Sequence, residues 1–139
     1  MLIKGGRIPA RLRAKSSLIK VAGVLGLGFV LAMAGVLRPR RVLVEGRSME
    51  PTLTDGDRLL VLRTRRLKAG DVVAMRHPHD PRRVIVKRAA AVRRGEVVVR
   101  GDNPEASTDS RSFGPVANEA VLGKVVRRYA PKGRTGHVR

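Results

Sequence analysis

The sequence has no cysteine and no tryptophan, and its only aromatic residues are Phe29, Phe113 and Tyr129. Without thiols, the chain has no disulfide framework, no thiolate zinc site and no cysteine nucleophile. The shortage of aromatic rings excludes nucleic-acid binding that depends on base stacking. Wholesale disorder is also excluded, because hydrophobic residues make up 42% of the 139 residues.

Acidic residues are missing from the first part of the chain. Residues 1–41 contain nine Lys or Arg and no Asp or Glu, whereas the whole chain has 30 basic and 11 acidic residues, a net charge of +19. The positive excess therefore comes from a basic arm and from a mildly basic remainder. A non-catalytic module that binds anionic lipid or nucleic acid through charge stays an alternative to an enzyme.

The first part of the chain also contains an uncharged apolar run, from Val21 to Leu37. As a helix this run spans about 25 Å, and Leu18 and Ile19 extend it if Lys20 snorkels to the interface. We expect a cytoplasmic basic arm over residues 1–17 and a transmembrane anchor over residues 18–37. A cleavable secretory signal, suggested by the A-x-A spacing at residues 32–34, and a buried soluble helix are the alternatives.

The charges on either side of this run predict its orientation. Six Lys or Arg precede the run and three follow it closely. By the positive-inside rule, the N-terminus is cytoplasmic and the remainder is outside the cytoplasm. The expected location is therefore the cell membrane, with a single pass and an extracytoplasmic domain.

The rest of the chain is predicted to be mainly β. Short segments rich in Val, Leu and Ile alternate with turn residues, and no long helical pattern follows residue 41. This pattern predicts a small antiparallel β-sheet or partly closed barrel with one hydrophobic core over residues 38–130, followed by a basic flexible tail over residues 131–139. The predicted strands are residues 41–45, 57–63, 71–76, 82–90, 96–100 and 121–130.

Three segments of this domain carry side chains suited to catalysis. Ser48 follows the first predicted strand, but a serine needs a nearby base to become a nucleophile, and alone it is typical of a turn. Lys87 lies in a strand and shares a face with Ile85 and Ala89, so burial would lower its pKa and allow it to accept a proton. The neighbouring charge of Arg88 is expected to act in the same direction.

The third segment, residues 101–115, is rich in short polar side chains. Asp109 and Arg111 are positioned to pair and brace this loop, although an ordinary exposed loop has a similar composition. His77 and His79 lack a third ligand and a supporting partner, so no metal site is expected.

In this order, the segments resemble the type I signal peptidases, which are membrane-anchored proteases with a serine/lysine dyad. The resemblance covers residues 42–130 and rests on the block Ser-Met-Glu-Pro-Thr-Leu at residues 48–53, on Lys87-Arg88, and on the polar residues between Gly101 and Pro115. It implies a serine endopeptidase that removes signal peptides from exported preproteins. The expected partners are extended preproteins and the lipid bilayer, with no nucleic acid and no cofactor.

The resemblance also implies a role for each matching residue. Ser48 would be the acylating nucleophile and Lys87 its general base, while Ser107 would orient the lysine by a hydrogen bond. The pair Asp109 and Arg111 would stiffen the site. Met49 and Pro51 would shape the turn beside the nucleophile. Gly46, two places before Ser48, lets the backbone approach a substrate closely.

The sequence departs from the family pattern in two respects. Gly46 stands where many bacterial members have a serine that assists the oxyanion, so the second oxyanion donor is open and a catalytically inactive relative stays an alternative. Only 13 residues separate Lys87 from Gly101, which indicates a minimal form without a large extra domain. The small maturation proteases of nickel superoxide dismutase are similar, but they tend to lack a strong membrane span. A self-cleaving repressor of the serine/lysine type would need a helix-turn-helix in place of the apolar run.

Overall fold

The computed structural model describes residues 38–139 together with Gly26. The arm and the anchor expected over residues 1–37 lie outside the described residues, apart from that glycine. Within the described part of the chain, no helix has the length and apolar character needed to cross a bilayer.

The folded domain is one antiparallel sheet of eight strands. The spatial order is β1-β2-β7-β3-β4-β5-β6, and β8 pairs with β7. The strands are β1 (Arg40–Leu43), β2 (Arg58–Leu62), β3 (Val72–His77), β4 (Asp80–Arg93), β5 (Glu96–Arg100), β6 (Val116–Ala117), β7 (Val121–Ala130) and β8 (Gly136–His137). A helical turn spans Ser110–Phe113, and 3-10 turns span Pro104–Ala106, Asn118–Ala120 and Lys132–Arg134.

This architecture confirms the mainly β, antiparallel prediction and corrects the expectation of a partly closed barrel. The sheet is open, since β1 and β6 stand at opposite ends of the strand order and do not pair with each other. All six predicted strands form. The strands β6 and β8 were missed, because two residues are too few to leave a recognisable period in the sequence.

The sheet has a hydrophobic cluster on each face, whereas the sequence predicted one core. Side chains alternate along β3, so Val72 and Ala74 enter one cluster while Val73 and Met75 enter the other. All four are at most 2% exposed, which makes β3 a strand buried on both sides. The first cluster also contains Met49 and Leu53, so the segment after β1 is part of the core.

Two loops and one strand bring the predicted site residues together. We call residues 46–57, between β1 and β2, the serine loop, and residues 101–115, between β5 and β6, the polar loop. The backbone N–H of Asn103 in the polar loop donates to the carbonyl of Ser48 at 3.0 Å. The long strand β4 carries Lys87 near its middle.

Residues 131–139 were expected to be a flexible tail, and the structure corrects this expectation. Gly136 and His137 form β8 and pair with Arg128 and Arg127 of β7. A 3-10 turn, Lys132–Arg134, connects the two strands. The segment is therefore built into the sheet, a contact between distant residues that its local composition does not reveal.

Candidate active site

The predicted nucleophile and base line one cleft of about 410 Å³. Lys87 is 4% exposed, while Ser48 is partly exposed. One wall comes from the end of β1 and the start of the serine loop, and the opposite wall comes from β4. The lining residues are 43–49 and 83–87, with His77 at the end of β3 and Ala106 and Thr108 from the polar loop.

The pKa of the Lys87 amine is lowered from its ordinary value, mainly because burial penalises the ammonium form. The negative charge of Asp109 opposes this effect, while the positive charges of Arg83 and Arg111 add to it. The predicted strand context is confirmed, since Lys87 sits in β4 opposite Val73 of β3. The environment thus favours the neutral amine, which is the form that can accept a proton.

A directed chain of hydrogen bonds leads from Lys87 to a buried carboxylate. Lys87 Nζ donates to Ser107 Oγ at 3.0 Å, and the Ser107 hydroxyl donates to Asp109 Oδ2 at 2.9 Å. Because the single hydroxyl proton of Ser107 points to Asp109, the serine oxygen is left as an acceptor for the lysine. This series of hydrogen bonds therefore orients the Lys87 amine from the side of the polar loop.

Asp109 is fully buried and is held as a carboxylate. Arg111 donates to it through Nη2 at 2.7 Å and through Nε at 2.9 Å, in a two-pronged ion pair. The backbone N–H of Gly101 donates at 2.9 Å, and that of Arg111 donates at 3.1 Å, the latter as the cap of the Ser110–Phe113 turn. The Arg111 hydrogen bond, aided by these N–H groups, holds the pKa of Asp109 well below its usual range.

Gly101 is a site residue that sequence reasoning missed. A Cβ at this position would collide with the side chain of Ser107 and with the carbonyl of Ser48. In the sequence, Gly101 is only the first residue of the polar segment. Only the packed structure shows that the glycine is needed so that the serine loop and the polar loop can approach each other.

A second network, also missed from the sequence, lies beside the first. Arg88 donates to both carboxylate oxygens of Asp102, at 2.8 Å and 2.6 Å, and Thr52 Oγ1 donates to Asp102 at 2.6 Å. Arg88 also donates to the carbonyl of Gly70 at 2.8 Å. The expectation that the Arg88 charge depresses the pKa of Lys87 is not met, because Asp102 neutralises that charge and the effective cations are Arg83 and Arg111.

The other expected supporting residues are spread between the cleft and the core. Gly46 lines the cleft at a φ of 88°, and its N–H donates to Asp55 Oδ1 at 2.7 Å. Met49 lines the cleft and is 1% exposed within the first hydrophobic cluster. Pro51 lies on the exposed side of the serine loop and does not line the cleft. The loop is thus anchored by its apolar residues rather than by the proline.

No group of three potential metal-binding side chains occurs among residues 38–139 and Gly26. His77 lines the cleft with its ring edge against Phe113, the two ring centroids being 5.8 Å apart. Its Nδ1 accepts the backbone N–H of His79 at 3.2 Å. His77 is therefore a packing residue of the cleft wall.

Comparison with known proteins places this arrangement in a family context. The family model described as "Signal peptidase, peptidase S26" matches residues 15–93 and 89–130 of the chain. The first matched region includes the serine loop and Lys87, and the second includes the polar loop. The match ends before the paired segment at residues 131–139.

Curated relatives agree with this match. The chain is 36% identical to mitochondrial ATP-independent inner membrane protease subunit 1a of Arabidopsis thaliana, in an alignment that covers 69% of this chain and 73% of the relative. It is 32% identical to mitochondrial inner membrane protease subunit 2 of Schizosaccharomyces pombe, over 68% and 67% of the two chains. Subunit 1 of the same protease from Xenopus tropicalis is 33% identical, over 65% and 68%.

Proposed function

This chain belongs to the signal peptidase family, peptidase S26, and from that premise we propose that it is a serine endopeptidase of the Ser/Lys type that removes signal peptides from exported preproteins. Family membership supports a membrane-associated protease with preprotein substrates. The chemistry and the residues that perform it are our proposal. The observation that carries it is a buried, hydrogen-bonded lysine facing the same cleft as Ser48.

In the proposed first step, the neutral amine of Lys87 removes the proton of the Ser48 hydroxyl as Oγ attacks the substrate carbonyl carbon. A new C–O bond forms, and the carbonyl electron pair moves to oxygen to give a tetrahedral oxyanion. The Lys87 ammonium then protonates the departing amine, the C–N bond breaks, and an acyl-enzyme remains. Water, activated by the regenerated amine, hydrolyses this ester and restores Ser48.

The Ser107 contact supports the orientation that this step needs. A neutral amine has two N–H bonds and one lone pair, so an amine that donates to Ser107 keeps its lone pair free for a second partner. We propose that this partner is the Ser48 hydroxyl. Asp109 and Arg111 act behind Ser107, because the charge pair sets the direction of the Ser107 proton.

Substrate binding is proposed to extend the sheet. Within the described residues, β5 pairs with β4 only from Arg88 onwards, so the part of β4 from Val84 to Lys87 is paired by β3 on one side alone. The free side borders the cleft, where an extended peptide can add through main-chain hydrogen bonds. The exposed side chains of Leu43 and Val84 offer apolar contacts for the small residues before the cut.

The backbone N–H of Ser48 is the proposed first donor to the oxyanion. It has no hydrogen-bond acceptor among residues 38–139, and it belongs to the residue whose Oγ attacks. A donor of this kind contributes about 3 kcal/mol to transition-state stabilisation. Gly46 supplies no hydroxyl, and its own N–H is already bound to Asp55, so the second donor must come from elsewhere.

We further propose that the protein is a single-pass protein of the cell membrane with a cytoplasmic N-terminus. The apolar run at residues 18–37 and the excess of basic residues before it support this topology. The domain of residues 38–139 would then meet preproteins on the outer side of the membrane, where their signal peptides are cut.

The function is tested by processing of an exported precursor with the full chain in membranes. Ser48→Ala and Lys87→Met should abolish cleavage, since each removes one partner of the dyad. The matched controls are Ser112→Ala and Lys68→Met, which alter exposed residues away from the cleft and should cleave at the wild-type rate. Near-normal cleavage by Lys87→Met would show that another group is the base.

A further inference from the structure

Residues 131–139, which we call the clasp, follow the region that the family model matches. The clasp turns back on the sheet, where β8 pairs with β7 and the Arg128 Nε donates to the carbonyl of Arg134. Val138 packs against the hydrophobic cluster that contains Met49 and Leu53. The clasp is therefore attached both to β7 and to the core beneath the serine loop.

The clasp and β7 direct two guanidinium groups at the serine loop. Arg134 Nη1 donates to Thr54 Oγ1 and lies 3.4 Å from Asp57 Oδ1. Arg128 Nη1 donates to the carbonyl of Thr52 at 3.2 Å and to Asp57 Oδ2 at 3.0 Å. The two arginines thus hold the half of the loop that follows Ser48, whereas the polar loop holds the Ser48 carbonyl.

Asp57 is the charged partner that both arginines share. It is fully buried, and its Oδ2 also accepts the backbone N–H of Thr54 at 3.0 Å. A buried carboxylate requires charged partners, so both arginines are held in place by the carboxylate that they neutralise. Within the described residues Oδ1 accepts no hydrogen bond, and its charged partner is the Arg134 guanidinium at 3.4 Å. Without Arg134, the loop can relax around a poorly paired charge.

We propose that the clasp fixes the position of Ser48 for catalysis, with Arg134 and Arg128 as positioning residues that act through the serine loop. This inference rests on the proposed function, because it assigns the clasp to the same site. The far end of the clasp reaches the Arg88–Asp102 network beside Lys87, since Arg88 Nη2 donates to the carbonyl of Arg139 at 3.3 Å. A small displacement of a nucleophile from its base lowers the rate far more than it lowers substrate binding.

The test compares Arg134→Ala with Arg127→Ala in the full chain. Arg127 is an exposed residue of β7 whose side chain makes no hydrogen bond within residues 38–139, so its removal controls for lost charge. We expect Arg134→Ala to lower kcat about tenfold with KM changed by less than about twofold, and Arg127→Ala to leave both unchanged. Arg134→Lys, which keeps a cation beside Asp57, should recover part of the lost kcat.

Amide hydrogen exchange gives a second readout that does not require activity. Leu53 N–H donates to Met49, and Gly56 N–H donates to Val44, so both amides report opening of the loop. Their exchange should be faster in Arg134→Ala than in Arg127→Ala. Wild-type kcat and wild-type exchange in Arg134→Ala would overturn the proposed role of the clasp, even if the melting temperature of this variant fell.

The same experiments separate the two hypotheses. If Ser48→Ala still cleaves, the proposed chemistry is wrong, whereas the exchange rates of Leu53 and Gly56 still decide whether the clasp holds the loop. If Ser48→Ala is inactive and Arg134→Ala has wild-type kcat, the enzyme proposal stands and the positioning role is wrong.

Discussion

At the scale of single residues, the central feature is an amine that is kept from solvent. Lys87 is 4% exposed, and desolvation is the largest influence on its pKa. The ordinary lysine would be protonated at neutral pH and could not remove a proton from a serine. The proposed mechanism therefore depends on where β4 places this one side chain.

Activity is expected to depend on pH through Lys87. Because its pKa is lowered, the amine becomes neutral at a lower pH than an exposed lysine, and cleavage should rise as pH increases through that pKa and fall below it. The measurement is kcat/KM for a signal-peptide substrate between acid and alkaline pH. A rate without an acid limb would contradict a lysine base.

The same burial should cost stability. A group whose pKa is lower in the folded state stabilises the fold above its unfolded pKa and loses that contribution as pH falls through the folded value. Neutral pH lies below the unfolded pKa of a lysine, so the buried amine should destabilise the domain there. Lys87→Met should therefore unfold at an equal or higher temperature than wild type. Thermal unfolding at pH 7 measures this, and a large loss of stability in Lys87→Met would contradict it.

Removal of the Ser107 hydroxyl should impair catalysis without preventing folding. Ser107→Ala breaks the chain from Lys87 to Asp109, so the amine loses its orientation and kcat should fall about tenfold to a hundredfold. Single-turnover cleavage at saturating substrate measures the effect, with Ser112→Ala as the control. Wild-type turnover would exclude Ser107 as an orienting group.

At the scale of elements, the site depends on contact between the serine loop and the polar loop. The serine loop has no helix or strand and the polar loop has only two short helical turns, but both loops are tied to the sheet and to each other by hydrogen bonds and buried side chains. Gly101 lies at their closest approach, and Asn103 bonds to the Ser48 carbonyl nearby. The elements of the sheet serve as the frame that brings these loops together.

Gly101→Ala should separate the two loops. The added Cβ has backbone and a short side chain as neighbours, which cannot move aside cheaply, so we expect a loss of about 1–3 kcal/mol in the free energy of unfolding together with strongly reduced cleavage. Chemical denaturation and precursor processing measure the two effects. Gly133→Ala is the matched control, since a Cβ there meets nothing within 4 Å.

At the scale of the whole molecule, several of the few acidic side chains of this strongly basic chain form ion pairs that stabilise the structure. Arginines pair with three carboxylates, Asp57 of the serine loop and Asp102 and Asp109 of the polar loop. Because the rest of the chain has an excess of positive charge, each of these carboxylates stabilises the site by reducing repulsion between the positive charges around it.

The domain should lose stability in acid. The pKa values of Asp109, Asp102 and Asp71 are lowered in the fold, chiefly by hydrogen bonds from Arg111 and Arg88 for the first two and by bonds that include Lys124 for Asp71. Their contributions are complete above their unfolded pKa, near 4, and disappear as pH falls through the folded values.

Urea unfolding between pH 6 and pH 2 measures this loss. Asp109→Asn should reduce the pH dependence below about pH 4, because it removes the carboxylate whose pKa is shifted most. Asp80→Asn is the control, since the Asp80–Arg82 pair is at the surface and contributes little stability. An unchanged slope in Asp109→Asn would contradict the assignment.

The sequence by itself determined the strands and the chemical groups. Alternating apolar residues and turn signals are local properties, so six strands and the strand context of Lys87 followed directly from them. The resemblance to a family then selected Ser48, Lys87 and Ser107 from many similar residues. The fold places Ser48 and Lys87 along one cleft, which the sequence did not predict.

Only the tertiary structure decided which distant residues meet. Gly101 is needed because two loops approach closely there. Asp102 neutralises Arg88 and Arg134 contacts Asp57, and each of these pairs joins segments that lie far apart in the chain. Such contacts depend on how strands are ordered and how loops pack. Local composition carries no record of them, which is why residues 131–139 resembled a free tail although they pair with the sheet.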